Sequence, residues 1–131
     1  CSPQPLSRPH PPIMIGGAGE KKTLRLVARY GDATNLFAGP QRGQPEEVKG
    51  KLDVLAEHCA REGTDYDRIR KSILWVGPLD VTAAGGSAFV EEMRRYADAG
   101  IDEVHVVPSS NDPAGFVGGL GRHVIPQLGD V

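Results

Sequence analysis

The residues best suited to chemistry lie in one short run, Ile15-Gly16-Gly17-Ala18-Gly19-Glu20-Lys21-Lys22-Thr23. An apolar segment precedes it and a helical pattern follows, so the run reads as a glycine-rich turn from strand to helix. At such a turn the first N–H groups of the helix lack carbonyl partners, the helix dipole adds partial positive charge, and glycines let a phosphate approach the main chain. Lys21 and Lys22, in the first turn of the expected helix, oppose the dipole unless an anion lies nearby. The same residues also make a plain tight turn with solvated lysines, and spacing alone leaves both readings open. Two familiar phosphate motifs fall short. Counted from Gly16, the second glycine of a P-loop is replaced by Lys21, although Lys22-Thr23 follows in register. Gly17-x-Gly19 is followed by Lys22 where a dinucleotide fingerprint has glycine.

Other constellations are thin. His10, His58, His105 and His123 are scattered, with no cysteine or carboxylate at ligand spacing, so no metal site is expected. His105 sits in a strand pattern and either points into a barrel interior or is an ordinary core or surface histidine. Glu46-Glu47 and Glu91-Glu92 fall early in helices, where acids belong for electrostatic reasons. Trp75 and Phe37, near strand ends, stack on a ring system or fill the core. No general acid, base or nucleophile is assigned.

The elements that position these residues alternate. Five prolines in residues 1–12 exclude helix and give an extended lead-in. Ile13-Met14-Ile15 reads as a strand covered on both faces. Glu20 to Tyr30 has helical period, with Gly31 as its stop. Ala33 to Phe37 is a second strand, and Pro45-Glu46-Glu47 opens a helix whose stripe is Val48, Leu52, Leu55, Ala56 and Cys59. Ser72 to Val76 is a third strand, followed by a loop through Gly85-Gly86. Ser87 then caps a helix that ends at Gly100. Glu103 to Val107 is a fourth strand, and Asp112-Pro113 opens a final helix weakened by Gly115, Gly118, Gly119 and Gly121. Four β-α units over residues 13–131 predict an α/β fold with a parallel sheet and right-handed crossovers. This is either half of a (β/α)8 barrel or a small open doubly wound sheet.

With 39% hydrophobic and 24% charged residues and a net charge of only −2, nothing points to a nucleic-acid or acidic-membrane partner. No apolar run approaches the ~20 residues of a membrane span. Cys1 and Cys59 form no disulfide framework, and a reduced, cytoplasmic setting is the simpler expectation. The start has neither an initiator Met nor an apolar core of a signal peptide, and it reads as a lead-in cut from something longer.

Three segments carry a family resemblance: PPIMIGGAGEKKTLRLVARYGDATNLF over residues 11–37, KLDVLAEHC over 51–59, and YADAGIDEVHVVP over 96–108. Together they resemble luciferase-like monooxygenases, in particular the branch with coenzyme F420-dependent oxidoreductases, and the likeness extends over nearly the whole chain. It implies that the four units are units five to eight, the C-terminal half of a (β/α)8 TIM barrel, with units one to four and their catalytic residues absent. It implies that Gly16, Gly17, Ala18 and Gly19 help hold the phosphate and ribityl end of coenzyme F420, or alternatively FMN. Asn35, Leu36 and Phe37 would then lie near the cofactor, and the loops after Val76 and Val107 would border a small-molecule substrate. Sugar-phosphate dehydrogenases of this family place a lysine shortly after the sixth strand. Gly39-Pro40 stands in that stretch here, which puts a phosphorylated sugar in doubt.

Half a barrel leaves two strand edges unpaired and its inner layer uncovered, which recruits a second copy or the missing half. A homodimer that sets the last strand of each copy beside the first strand of the other is therefore expected. The functional expectation is a luciferase-like F420- or FMN-dependent oxidoreductase or monooxygenase fragment that contributes the phosphate loop. The alternative is a non-catalytic, truncated phosphate- or cofactor-binding module.

Overall fold

The computed structural model describes residues 2–108 and 111–129. Four strands, β1 (Met14–Gly16), β2 (Ala33–Ala38), β3 (Arg70–Trp75) and β4 (Glu103–Val106), form one parallel sheet in the order β1-β2-β3-β4. Between and after them run α1 (Thr23–Tyr30), α2 (Pro45–Glu62), α3 (Ala83–Asp98), α4 (Pro113–His123) and the single turn α5 (Ile125–Leu128). Residues 2–12 carry no strand or helix.

Strand order and burial together decide between the two architectures left open by the sequence. Successive side chains of a strand point to opposite faces. One face presents Ile15, Leu36, Ala38, Ile73, Trp75, Val104 and Val106 to the core, where they meet Leu24, Val27, Leu52, Leu55, Phe89, Val90 and Phe116 of the helices. The other face carries Met14, Asn35, Phe37, Ser72, Leu74, Glu103 and His105, none of which belongs to that core. A doubly wound sheet reverses its strand order and covers both faces with helices. Here the order never reverses and the helices lie on one face, so the fold is half of a (β/α)8 barrel, with the second face as the barrel interior.

Local chemistry explains where the elements stop and start. Pro45 opens α2, Glu46 and Glu47 complement its dipole, and Gly63 closes it at φ 69°. Asp112 caps α4, its carboxylate accepting from the Gly115 N–H at 2.9 Å.

The strands shift by one or two residues, and three helix boundaries differ from expectation. α1 begins at Thr23 rather than Glu20, because residues 20–22 form a turn closed by the Leu24 N–H donating to the Gly19 carbonyl at 3.0 Å. α3 begins after Thr82, whose hydroxyl accepts from the Gly85 N–H at 3.3 Å. Ser87 therefore lies one turn inside, and Gly85-Gly86 belongs to the helix rather than to a loop. The last helical stretch divides at Val124, since Pro126 cannot donate the bond that would carry α4 onward.

Candidate functional site

All four strands are parallel, so their C-terminal ends share one rim, and the glycine run leaves that rim from β1. β1 is only three residues long because Gly17 takes φ 119°, a conformation that side chains rarely adopt. The Gly17 N–H still donates to the Asn35 carbonyl at 3.0 Å, so this amide serves the sheet and is not available to an anion. From Ala18 to Lys22, by contrast, no N–H donates to a main-chain carbonyl among the described residues, and all five residues are exposed. Lys22 stands at the N-cap of α1 with no side-chain cap of its own. The two lysines thus precede the helix rather than occupy its first turn. Residues 18–23 and Lys51 line an open groove of about 500 Å³.

The glycines divide by cause. Gly17 is required by its dihedral, and a Cβ on Gly19 would stand 2.8 Å from the Thr23 hydroxyl oxygen. Both follow from the chain's own packing. Gly16 has neither constraint, since its nearest neighbour would be the Asn35 carbonyl oxygen at 3.8 Å. A side chain at Gly16 would therefore meet nothing closer among the described residues.

Two side chains of α2 hold the loop in place. The Lys51 ammonium meets the Glu20 carboxylate at 2.6 Å, and the buried His58 donates from Nε2 to the Glu20 carbonyl at 2.7 Å. The hydrogen bond and charge of Lys51 keep the Glu20 carboxyl below its usual 4.5, with Lys21 adding to the effect. The clamp is thus complete above the ordinary carboxylate range and weakens as pH falls through the lowered value. His58 carried no local signal in the sequence, because its partner lies 38 residues away. His58→Ala removes a buried donor and its packing and should cost about 1–2 kcal/mol, measured as a lower urea midpoint, with α2 still helical by circular dichroism.

On the inner face the side chains stack in layers. Gly16, Asn35, Ser72 and Glu103 are in register, with Phe37, Leu74 and His105 in the layer nearer the rim. Asn35 donates from Nδ2 to the Ser72 hydroxyl at 2.9 Å, and that hydroxyl donates to the Thr34 carbonyl at 2.9 Å, which fixes the Asn35 amide. Phe37 is 42% exposed, with the Arg42 guanidinium 4.3 Å from its ring centroid, a cation on an open aromatic at the rim. Glu103 lies 3.5 Å from both Arg70 and His105, and the His105 Nε2 is enclosed without a hydrogen-bond partner.

The run Asn35, Leu36 and Phe37 is therefore split by the pleat. Asn35 and Phe37 face the interior, whereas Leu36 is 1% exposed and packs under the helices, which removes it from the site. Trp75 also points into the core, edge-on to Phe89 and Tyr96 at 5.3 and 6.3 Å. Of the two rim loops expected to border a substrate, the one after Val76 is described in full, and Ser109 and Ser110 of the other lie outside the described residues. Among the described residues no group of His, Cys, Asp or Glu could hold a metal ion, and no helix is long and apolar enough to cross a membrane. Cys59 is buried and unpaired, and Cys1 lies outside the described residues.

No family model matches the sequence, and no curated protein matches it. Solved structures do share the fold. One is the coenzyme F420-dependent tetrahydromethanopterin reductase from Methanopyrus kandleri, at 14% identity and a TM-score of 0.69 over 89% of this chain and 51% of that one. Another is an F420-dependent secondary alcohol dehydrogenase in complex with an F420-acetone adduct, at 16% identity and a TM-score of 0.72, covering 89% and 48%. The chain thus spans about half the length of the structures it matches, and at these identities the likeness is one of fold.

Proposed function

We propose that this chain is the C-terminal, cofactor-tail half of a luciferase-like, F420-dependent oxidoreductase acting on a small molecule. The observation that carries the reading is the exposed stretch 18–22, whose N–H groups have no main-chain acceptor, at the C-terminal end of a barrel strand. A phosphate on a ribityl chain fits there. Ala18 and Gly19 offer amides, Gly16 and Gly17 let the chain approach closely, and Lys21 and Lys22 add positive charge. Asn35 and Phe37 then face the cofactor from the inner wall, Asn35 with its amide held by Ser72 and Phe37 with an open ring surface.

Bound F420 supplies a two-electron hydride carrier, and the residues named here bind and orient it. FMN carries the same phosphorylated ribityl chain and is the alternative ligand. F420 is favoured because both structures named above are of F420-dependent enzymes.

Quenching of F420 fluorescence, with FMN titrated in parallel, tests the reading. Ala18→Asp sets a carboxylate among the free amides at an exposed, unstrained position and should weaken binding by about tenfold or more, equivalent to ~1.4 kcal/mol. Equal affinity in the variant would remove the loop from the site. Cofactor binding without turnover, even when the other half of a barrel is supplied, would favour a non-catalytic binding module.

A further inference from the structure

Four charged side chains line the groove beside the glycine run: Glu20, Lys21, Lys22 and Lys51. One carboxylate therefore stands among three ammonium groups, where the reading above puts a phosphate. The Glu20 carboxylate takes the Lys51 ammonium at 2.6 Å, whereas Lys21 and Lys22 have no carboxylate partner among the described residues. The hydrogen bond and charge of Lys51, with the charge of Lys21, hold the Glu20 carboxyl below its ordinary 4.5. At neutral pH Glu20 is thus an anion, and Lys51 is committed to it.

The two contacts from α2 differ in what depends on them. His58 is buried and bonds the main-chain carbonyl of Glu20 at 2.7 Å, a bond that any residue at position 20 would accept. The Lys51–Glu20 pair instead joins two side chains that are 24% and 53% exposed. Ion pairs this open to water contribute little and are screened by salt. The loop therefore keeps its path through His58, and the Lys51 ammonium is free to change partner. A phosphate has more to gain in the groove than Glu20 has. The Glu20 carboxylate bonds to Lys51 alone among the described residues, whereas a phosphate there accepts both from the free amides of the loop and from an ammonium.

We propose that Lys51 is a phosphate-binding residue of this site and that Glu20 occupies it until a phosphate arrives. The proposal rests on the cofactor-tail reading above and adds to it a ligand from α2 and an internal competitor. On binding, the ammonium turns from the carboxylate to the phosphate oxygens, and Glu20 swings out into water. One ion pair replaces another, with no covalent change.

Titrating the full chain with FMN, and with riboflavin, which lacks the phosphate, separates the groove from contacts to the rings. Glu20→Gln frees Lys51 and should tighten FMN by about three- to fivefold, the range that an exposed ion pair spans. Riboflavin should be unaffected, and the gain should shrink as salt is raised. F420 followed in parallel should gain in the same direction. Glu20→Ser releases Lys51 in the same way, and far-ultraviolet spectra of both variants should match the parent because His58 still holds the main chain. Adding Lys51→Met to Glu20→Gln should remove the gain. FMN bound equally or more weakly by both Glu20 variants overturns the proposal and leaves the cofactor-tail reading standing, as does a gain that survives the loss of Lys51. FMN and riboflavin bound alike, or not at all, by the parent and every variant would overturn both.

Discussion

Gly43→Ala is expected to destabilise the protein by about 3 kcal/mol or more, a large part of the roughly 5–15 kcal/mol that holds a domain together. Gly43 sits at φ 66°, and a Cβ there would stand 1.9 Å from the Phe37 carbonyl oxygen, backbone that cannot step aside. The residue is also a junction. Its N–H donates to the Glu47 carboxylate at 2.8 Å, and its carbonyl accepts from the Tyr96 hydroxyl at 2.9 Å. One methyl group would therefore displace the start of α2, the rim loop with Arg42, and the anchor of α3 together. At an m-value near 2 kcal/mol/M the urea midpoint should fall by roughly 1.5 M. Gly63→Ala is the control. Gly63 has nearly the same dihedral, φ 69°, but nothing lies within 4 Å of its would-be Cβ, so only about 1 kcal/mol is expected. Equal losses at the two sites would show that the crowding against Phe37 is not the cause.

Trp75→Ala should cost about 3–5 kcal/mol, as a large aromatic is deleted from a packed interior. Trp75 is 8% exposed at the end of β3, edge-on to Phe89 and Tyr96, with its indole N–H donating to the Pro78 carbonyl at 3.4 Å. Its loss leaves Tyr96 without a side wall, and Tyr96 is what holds Gly43. The melting temperature should drop by roughly 10–20 °C. Because Trp75 lies on the helix side of the sheet, Trp75→Phe should recover most of the stability and leave any F420 or FMN affinity unchanged. A tenfold loss of affinity in that variant would place the indole in the site after all.

Trp75 also shows which features are legible in the amino-acid order. The existence and direction of the four units follow from apolar periodicity, because strands with period two and helices with period 3.6 sort their faces by themselves. The choice between ring stacking and core at Trp75, by contrast, is settled only by its packing on Phe89 and Tyr96. The run of Asn35, Leu36 and Phe37 shows the limit. Adjacent residues of a strand cannot share a face, so the pleat sends Leu36 under the helices while Asn35 and Phe37 face the other way. Tertiary packing overrides helix propensity at two glycines. Gly86 would put a Cβ 2.7 Å from the His123 carbonyl oxygen and Gly119 would put one 2.5 Å from Val81, so these helices carry glycine to pass close to their neighbours. The start of α1 is not legible in the sequence because Lys21 and Lys22 continue a helical pattern and no capping side chain marks where it begins. The loop clamp was invisible for another reason, since Lys51 and His58 meet Glu20 only after α1 and α2 have packed.

The strictly sequential strand order has a kinetic side. Every strand pairs with its predecessor in the chain, and the largest groups of contacts join β2 with β3, α1 with α2, and β3 with β4. Each unit can therefore condense on the one made before it, with short loop closures and little search. Synthesis from the N-terminus would deliver β1 to β3 as a growing arc well before β4 emerges.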